Sequence, residues 1–392
     1  MVRRWPCPRR FRIGWAKAFL NDVWPTRFVS ADRSRGDFPW VSRSLIPCFK
    51  RGERSNPLRK LQLWLGIVVS LIFMAIALRR LELAQVWQEL RAARYAWMIP
   101  GVMVYFCAVW ARTWRWHHLL LPLRPVPPPR LFPIICIGYM GNNIYPARAG
   151  EVIRSYVLRR REGVSMSASL ATIATERVFD GLVMLMFVFA ALPFTPMPSW
   201  LRQIVIFSSL LFFGTLLTFL ALAARPQQIR QYYDRLAAPW LPVRLREKGG
   251  DLLDRFLSGL GALRRGRDVL MLFWTSIVIW LAETVKYWLV MHAFDFTVPF
   301  YVLMLMNGVV NLATTLPAAP GYVGTFDLPG IEVLATFGIP RELAGAYTAA
   351  LHVVLWLPIT VLGAFYMWRE QLRWADLSRA TRSSDVTAEV LS

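Results

Sequence analysis

The chain has 392 residues, 56% of them hydrophobic, with 18 Trp, 24 Phe and a formal net charge of +22. Its mean hydropathy of +0.38 excludes a soluble globular domain. A nucleic-acid binder is excluded too, because several apolar runs reach about 20 residues, the length of a membrane helix, and no basic stripe is interleaved with exposed aromatics.

The pattern predicts an all-α polytopic membrane protein with about six full transmembrane helices plus two re-entrant hairpins, eight or more membrane segments in all. Residues 1–56 are Arg-rich and without sustained periodicity, and read as a disordered cytoplasmic tail or an over-extended gene start. A transmembrane domain follows over about 57–370, and 371–392 read as a short cytoplasmic tail. Segment 1 is Leu61 to Leu78, and segment 2 runs from Tyr95 to Leu121 with Arg112, Arg115, His117 and His118 toward its end. Tandem histidines diverge by about 100° on a helix, so they read as interfacial and not as metal ligands. Cys7, Cys48, Cys107 and Cys136 show no CxxC or Cys/His spacing, and neither a metal nor another cofactor is indicated.

The next stretch places polar chemistry where hydropathy predicts lipid. An apolar arm from Leu131 to Pro146 is too short to span comfortably, turns at PARAG, and returns as the increasingly basic arm Glu151 to Arg161. Lipid tolerates such a hairpin only where its irregular backbone is buried in protein or lines a wet cavity. Asn142, Asn143, Arg148, Glu151 and Arg154 surround the break. Segment 3, Met166 to Phe194, then carries Glu176, Arg177 and Asp180. Each charge costs roughly 2.5 to 3.5 kcal/mol at a helix centre, so all three must face protein or water. Ser165, Ser169, Thr172, Glu176 and Asp180 share one helical stripe, and Arg177 is spaced to pair with Asp180.

Segment 4 is Leu201 to Ala224. Between Arg225 and Asp268, Leu252, Leu253, Phe256, Leu257, Leu260 and Leu263 recur at helical spacing in a basic stretch, which predicts an amphipathic helix on the inner leaflet. Segment 5, Val269 to Phe294, holds Glu283 and Lys286 as an i, i+3 pair, and segment 6 is Leu343 to Trp368. Between them the broken pattern returns: an arm from Phe300 to Leu316, the break Pro317-Ala-Ala-Pro-Gly321, and a second arm ending at Phe337.

The spacing Pro146-x-x-x-Gly150 equals Pro317-x-x-x-Gly321, Asn143 aligns with Thr314, and His352 falls near the level of Glu176. Repeat 1, about 61–194, and repeat 2, about 201–368, are therefore expected to be inverted copies, since each crosses the membrane an odd number of times; paired breaks point to a central transport site. Lys and Arg gather in the loops of one face, the Arg79 to Arg94 loop excepted, so both termini are expected in the cytoplasm of a cell whose inner (plasma) membrane holds the chain. Asp327 and Glu332 in hairpin 2 oppose the arginines of hairpin 1, as a zwitterionic or amino-bearing head group would require.

The run NNIYPARAGEVIRSY, followed by ATIATERVFD and the later LPAAPGYVGTF, resembles the lysylphosphatidylglycerol synthase transmembrane region, the flippase-like family, over about residues 60 to 370. The resemblance implies an integral membrane module and carries site positions onto Arg148, Gly150, Glu151 and Arg154, onto Glu176, Arg177 and Asp180, and onto Pro320, Gly321 and Gly324. Members with a C-terminal aminoacyl-transferase domain use the module to move an aminoacylated phospholipid between leaflets. About 24 residues follow Trp368, so synthase activity is not expected here. The expected function is a lipid translocase and not an enzyme, binding a membrane phospholipid or other lipid head group through these residues, and no nucleic acid. The alternatives are a membrane enzyme or accessory subunit acting on a lipid-linked sugar or phosphate, and a non-transporting scaffold. The oligomeric state stays open, a homo-oligomer included.

Overall fold

The computed structural model describes residues 57–372, apart from 80, 146–147, 195–198, 238–241 and 316–317. The expected tails, over 1–56 and most of 371–392, lie outside the described residues, as do Pro146 and Pro317.

Every described element is helical: α1 Pro57–Leu78, α2 Leu83–Ala92, α3 Met98–Leu120, α4 Pro128–Ile144, α5 Ala149–Glu162, α6 Met166–Ala191, α7 Ser199–Ala224, α8 Pro226–Tyr232, α9 Val243–Gly259, α10 Gly266–Met291, α11 Phe300–Ala313, α12 Asp327–Thr336 and α13 Arg341–Arg369. Proline starts several of them, with Pro128 opening α4 and Pro299 and Pro340 at the N-caps of α11 and α13. Its fixed φ suits that position, and the missing N–H is one a helix start leaves unpaired anyway. Gly163 and Gly338, both with positive φ, stop α5 and α12.

Charge and exposure run inside out. Leu210 on α7 is 73% exposed and Trp368 on α13 is 75% exposed, whereas Arg115 and Lys286 are 0% exposed. An apolar exterior around buried charges is the distribution lipid imposes. Among the described residues three helices are long and apolar enough to cross a membrane: 205–224 within α7, α10 and α13. A fourth counts if α2 and the helical stretch 95–120, bent by 75°, form one span. This is fewer than the eight segments the hydropathy pattern suggests: α1 counts only as the shorter apolar stretch Gly66–Leu78, and two physical reasons account for α6 and the hairpin arms. At 26 residues α6 has the length, but it carries Glu176, Arg177 and Asp180. The arms α4, α5, α11 and α12 have 17, 14, 14 and 10 residues, short of the about 20 that a crossing takes.

Helix α6 is buried nearly all round, lends apolar residues to both apolar clusters, and turns its polar stripe of Ser169, Thr172, Glu176 and Asp180 into the protein interior. Around it α4 packs against α5 and α13, while α11 packs against α12 and α6, and α3 lies along α10. The amphipathic stretch forms α9 and the 3-10 turn Gly261–Arg264, and its apolar face docks on protein: Leu257, Leu260 and Leu263 are buried. Gly259 sits so close to α6 that a Cβ there would come within 2.4 Å of the Ala168 carbonyl oxygen.

Candidate functional site

The two breaks meet. Arg148 precedes α5 in the left-handed conformation, φ 52° and ψ 35°, which costs a non-glycine residue on the order of 1 kcal/mol. From there its Nη2 donates to the Thr314 carbonyl at 3.1 Å, at the end of α11. The Asn142 side-chain oxygen accepts from the Gly150 N–H at 2.8 Å, closing the first break on itself, and Asn143 Nδ2 donates to Thr360 Oγ1 on α13 at 2.8 Å. Glycine at 150 is obligatory for packing: a Cβ would stand 1.9 Å from the Gly138 carbonyl oxygen.

The second break is held by α1, α12 and α13. Ser70 Oγ accepts from the Ala319 N–H at 2.8 Å. Gly321, Tyr322 and Gly324 all take positive φ, and Pro320 opens the 3-10 turn that contains the first two. Asp327 accepts from the Gly324 N–H at 2.8 Å through one carboxylate oxygen and faces His352 Nδ1 at 2.9 Å through the other. On the far side of the ring, His352 Nε2 lies 2.7 Å from the Gly321 carbonyl oxygen.

Between the breaks lies a cavity of about 150 Å³ whose wall includes Asn142, Asn143, Arg148, Arg177, Gly321 and His352, with Arg112, Glu283 and Lys286 from α3 and α10. Six of the predicted site residues therefore share one wall. Glu151 stands just behind, 3.8 Å from both Arg148 and Arg177. Arg154, Glu176 and Asp180 are buried away from the cavity, and Pro320, Gly324 and Asp327 shape the second break.

Two lines of alternating charge organise the interior. The first starts at the cavity and runs Arg148, Glu151, Arg177, Asp180, Arg115, Glu176, Arg154. Its strong bonds lie deep: Arg115 grips Asp180 through both terminal nitrogens at 2.7 and 3.2 Å, Trp280 Nε1 donates to the same carboxylate at 3.0 Å, and Arg154 bonds Glu176 while stacking over Trp116 at 3.8 Å. The second line is Arg112, Glu283, Lys286, with both cations bonded to the one carboxylate.

The i, i+3 spacing that places Arg177 to pair with Asp180 is met at 3.8 Å, the same distance as from Arg177 to Glu151, and Asp180 has a second, tighter partner in Arg115. Successive helical positions diverge by about 100°, so Arg177 turns to the cavity while Glu176 and Asp180 turn inward. The carboxylates of hairpin 2, expected to oppose the arginines of hairpin 1, have partners within their own half of the chain. Glu332 forms a two-pronged pair with Arg341 at 2.6 and 3.0 Å, and Asp327 is taken up by His352 and the Gly324 N–H. Sequence reasoning missed Arg112, Arg115 and Trp280 as members of the network. The usable signal was two arginines three residues apart inside an apolar run, a costly placement without partners.

Residues 63–363 match the family described as Lysylphosphatidylglycerol synthase TM region. A UPF0104 membrane protein of Methanothermobacter thermautotrophicus is 27% identical over 291 residues, 69% of this chain and 83% of that protein. A second from the same organism is 23% identical over 318 residues, 76% of this chain and 92% of that protein. Glycosyltransferase AglD of Haloferax volcanii is 23% identical over 389 residues, 91% of this chain but 62% of that protein. No solved structure matches.

Proposed function

We propose, because the chain belongs to the Lysylphosphatidylglycerol synthase TM region family and its two breaks share one cationic cavity, that this integral membrane protein is a lipid translocase and not an enzyme. It would move a phospholipid or lipid-linked head group between the leaflets of the plasma membrane, with both termini in the cytoplasm. The observation that carries the reading is the state of two guanidinium groups. Arg177 makes no hydrogen bond among the described residues and Arg148 bonds only Thr314, yet both line the cavity. Guanidinium suits a phosphate drawn into low dielectric, because its planar fork binds two oxygens and stays charged.

Two further features support the reading. An apolar groove of about 360 Å³, bordered by Leu78, Leu83, Val323 and Val353, shares His352 and Trp356 with the cavity, so an acyl chain could lie in the groove while its head group occupies the cavity. The packing is reciprocal: the first hairpin lies on α13, the second on α6, and α3 on α10, as an inverted repeat of two hairpins and paired helices would require. With no nucleotide-binding motif in the sequence, movement would run downhill, be coupled to protons, or be scrambling.

The test is leaflet exchange of fluorescent phospholipid in proteoliposomes. Acceleration over empty liposomes, reduced by Arg148→Lys although the charge is kept, supports translocation. Exchange no faster than in empty liposomes across several head groups, with a proton gradient imposed either way, overturns it. The second reading, a membrane module accessory to glycosyl transfer, rests on the match to the glycosyltransferase along most of this chain. Chemical alteration of the lipid in the same vesicles would favour it.

A further inference from the structure

We propose that the cavity takes a dianionic phosphate, a phosphate monoester, and not the monoanionic diester of an ordinary phospholipid. The inference rests on the reading of the cavity as the substrate site.

The argument is a charge count. Six cationic side chains belong to the two lines: Arg112, Arg115, Arg148, Arg154, Arg177 and Lys286. Four carboxylates oppose them: Glu151, Glu176, Asp180 and Glu283. Each line begins and ends in a cation, so each is one negative charge short, and six against four leaves two positive charges among the described residues. The Asp327–His352 pair does not make up the deficit. His352 Nε2 faces a carbonyl oxygen, which only accepts, so that nitrogen carries a proton. A second proton must lie between Nδ1 and the Asp327 oxygen 2.9 Å away, which leaves the pair neutral. The carboxylate of Glu332 is bound to Arg341.

A net double charge held in a membrane interior is costly unless an anion completes it. Four of the six cations face one cavity: Arg148, an end of the first line, with Arg177 on one side, and Arg112 and Lys286, both ends of the second line, on the other; the far end of the first line, Arg154, is buried against Glu176. Nε of Arg112, Arg115, Arg148, Arg154 and Arg177 is buried without a hydrogen-bond partner, and three of these arginines stand in the cavity wall. At about 150 Å³ the space equals roughly five waters, room for a phosphate with little attached. A phosphate monoester carries up to two charges above its second ionisation near pH 6, whereas a diester carries one.

The experiment is binding to the purified full-length protein in detergent, read by thermal stabilisation, with short-chain phosphatidic acid, phosphatidylglycerol, phosphatidylcholine and inorganic phosphate as probes. At pH 7.5 phosphatidic acid should bind about tenfold or more tighter than phosphatidylglycerol, the worth of one added charged contact, and phosphatidylcholine should be weaker still. The gap should narrow at pH 5, where the monoester keeps one charge. Phosphatidylglycerol at the same two pH values reports any change in His352 and Asp327, and the other ionisable groups of the wall, Tyr105, Tyr139, Tyr287 and Tyr322, are common to both lipids. Competition by inorganic phosphate at equal affinity assigns the dianion to a free ion, and its failure to compete assigns it to a lipid. Arg177→Gln should weaken phosphatidic acid by about tenfold; if the variant does not fold, the wild-type comparison still decides. Equal binding of phosphatidic acid and phosphatidylglycerol at pH 7.5, or a preference unchanged at pH 5, overturns the proposal. A preserved preference without leaflet exchange would instead overturn translocation alone.

Discussion

Arg148 and Thr314 are hydrogen-bonded across 3.1 Å, which ties the break between α4 and α5 to the end of α11 and makes the two breaks one site. The bond comes from a guanidinium held in a strained left-handed conformation, and such strain persists where the surroundings over-determine it. Movement of either break must be felt by the other. Beyond this contact lie the two lines of charge, whose inner and outer members have separable roles.

Arg115 is the keystone of the inner members. It is fully buried and serves Asp180, Ser276 and, at longer range, Glu176. Arg115→Ala should destabilise by about 3 to 5 kcal/mol because it strands a buried carboxylate. The measurement is thermal unfolding in detergent, followed by tryptophan fluorescence. The double variant Arg115→Ala, Asp180→Ala should lose less than the single one; a larger loss would show that the carboxylate has other essential partners.

Arg177 should behave in the opposite way. Its ion pairs are 3.8 Å long and its side chain is 29% exposed, so Arg177→Gln should change stability by less than about 1 kcal/mol. Leaflet exchange should nevertheless fall sharply. A melting temperature lowered as much as by Arg115→Ala would make Arg177 part of the structural network and sink this assignment.

Two glycines offer a packing test. Gly150→Ala places a methyl 1.9 Å from the Gly138 carbonyl oxygen, and should cost at least about 3 kcal/mol because backbone must move. Gly214 on α7 has nothing within 4 Å of a built Cβ, so Gly214→Ala should be neutral or stabilising by up to about 1 kcal/mol. Equal melting temperatures for the two variants would mean that α4 and α5 do not pack this closely.

Topology follows from loop charge. With the native cysteines replaced, a single cysteine at Phe194 or Thr297, both exposed, should react with an impermeant maleimide added outside intact cells. One at Glu247, exposed at the start of α9, should be protected. Labelling at Glu247 from outside would rule out the cytoplasmic placement of the basic stretch.

Much of the architecture was legible in the sequence. Hydropathy and helix signals located α1, α3, α6, α7, α10 and α13 close to their observed limits, since a run of apolar residues in lipid has little choice but helix. The breaks were legible because proline and glycine interrupt such runs, and a charge within an apolar run announces that something must pair with it. What the sequence by itself could not say is which charge pairs with which. Arg115 and Asp180 are 65 positions apart, and Arg112 and Glu283 are 171 apart; no periodicity relates residues on different helices. Local spacing places Arg177 beside Asp180, at 3.8 Å, and the tertiary structure adds Arg115 as the tighter partner, because α3 lies against α10 and α6 and brings a fully buried guanidinium to the inward face of α6. Only that packing left Arg177 free to face the cavity, and only it set the acids of the second hairpin against their own backbone and Arg341. Helix is imposed residue by residue by the solvent, whereas ion pairing is decided by which helix faces meet.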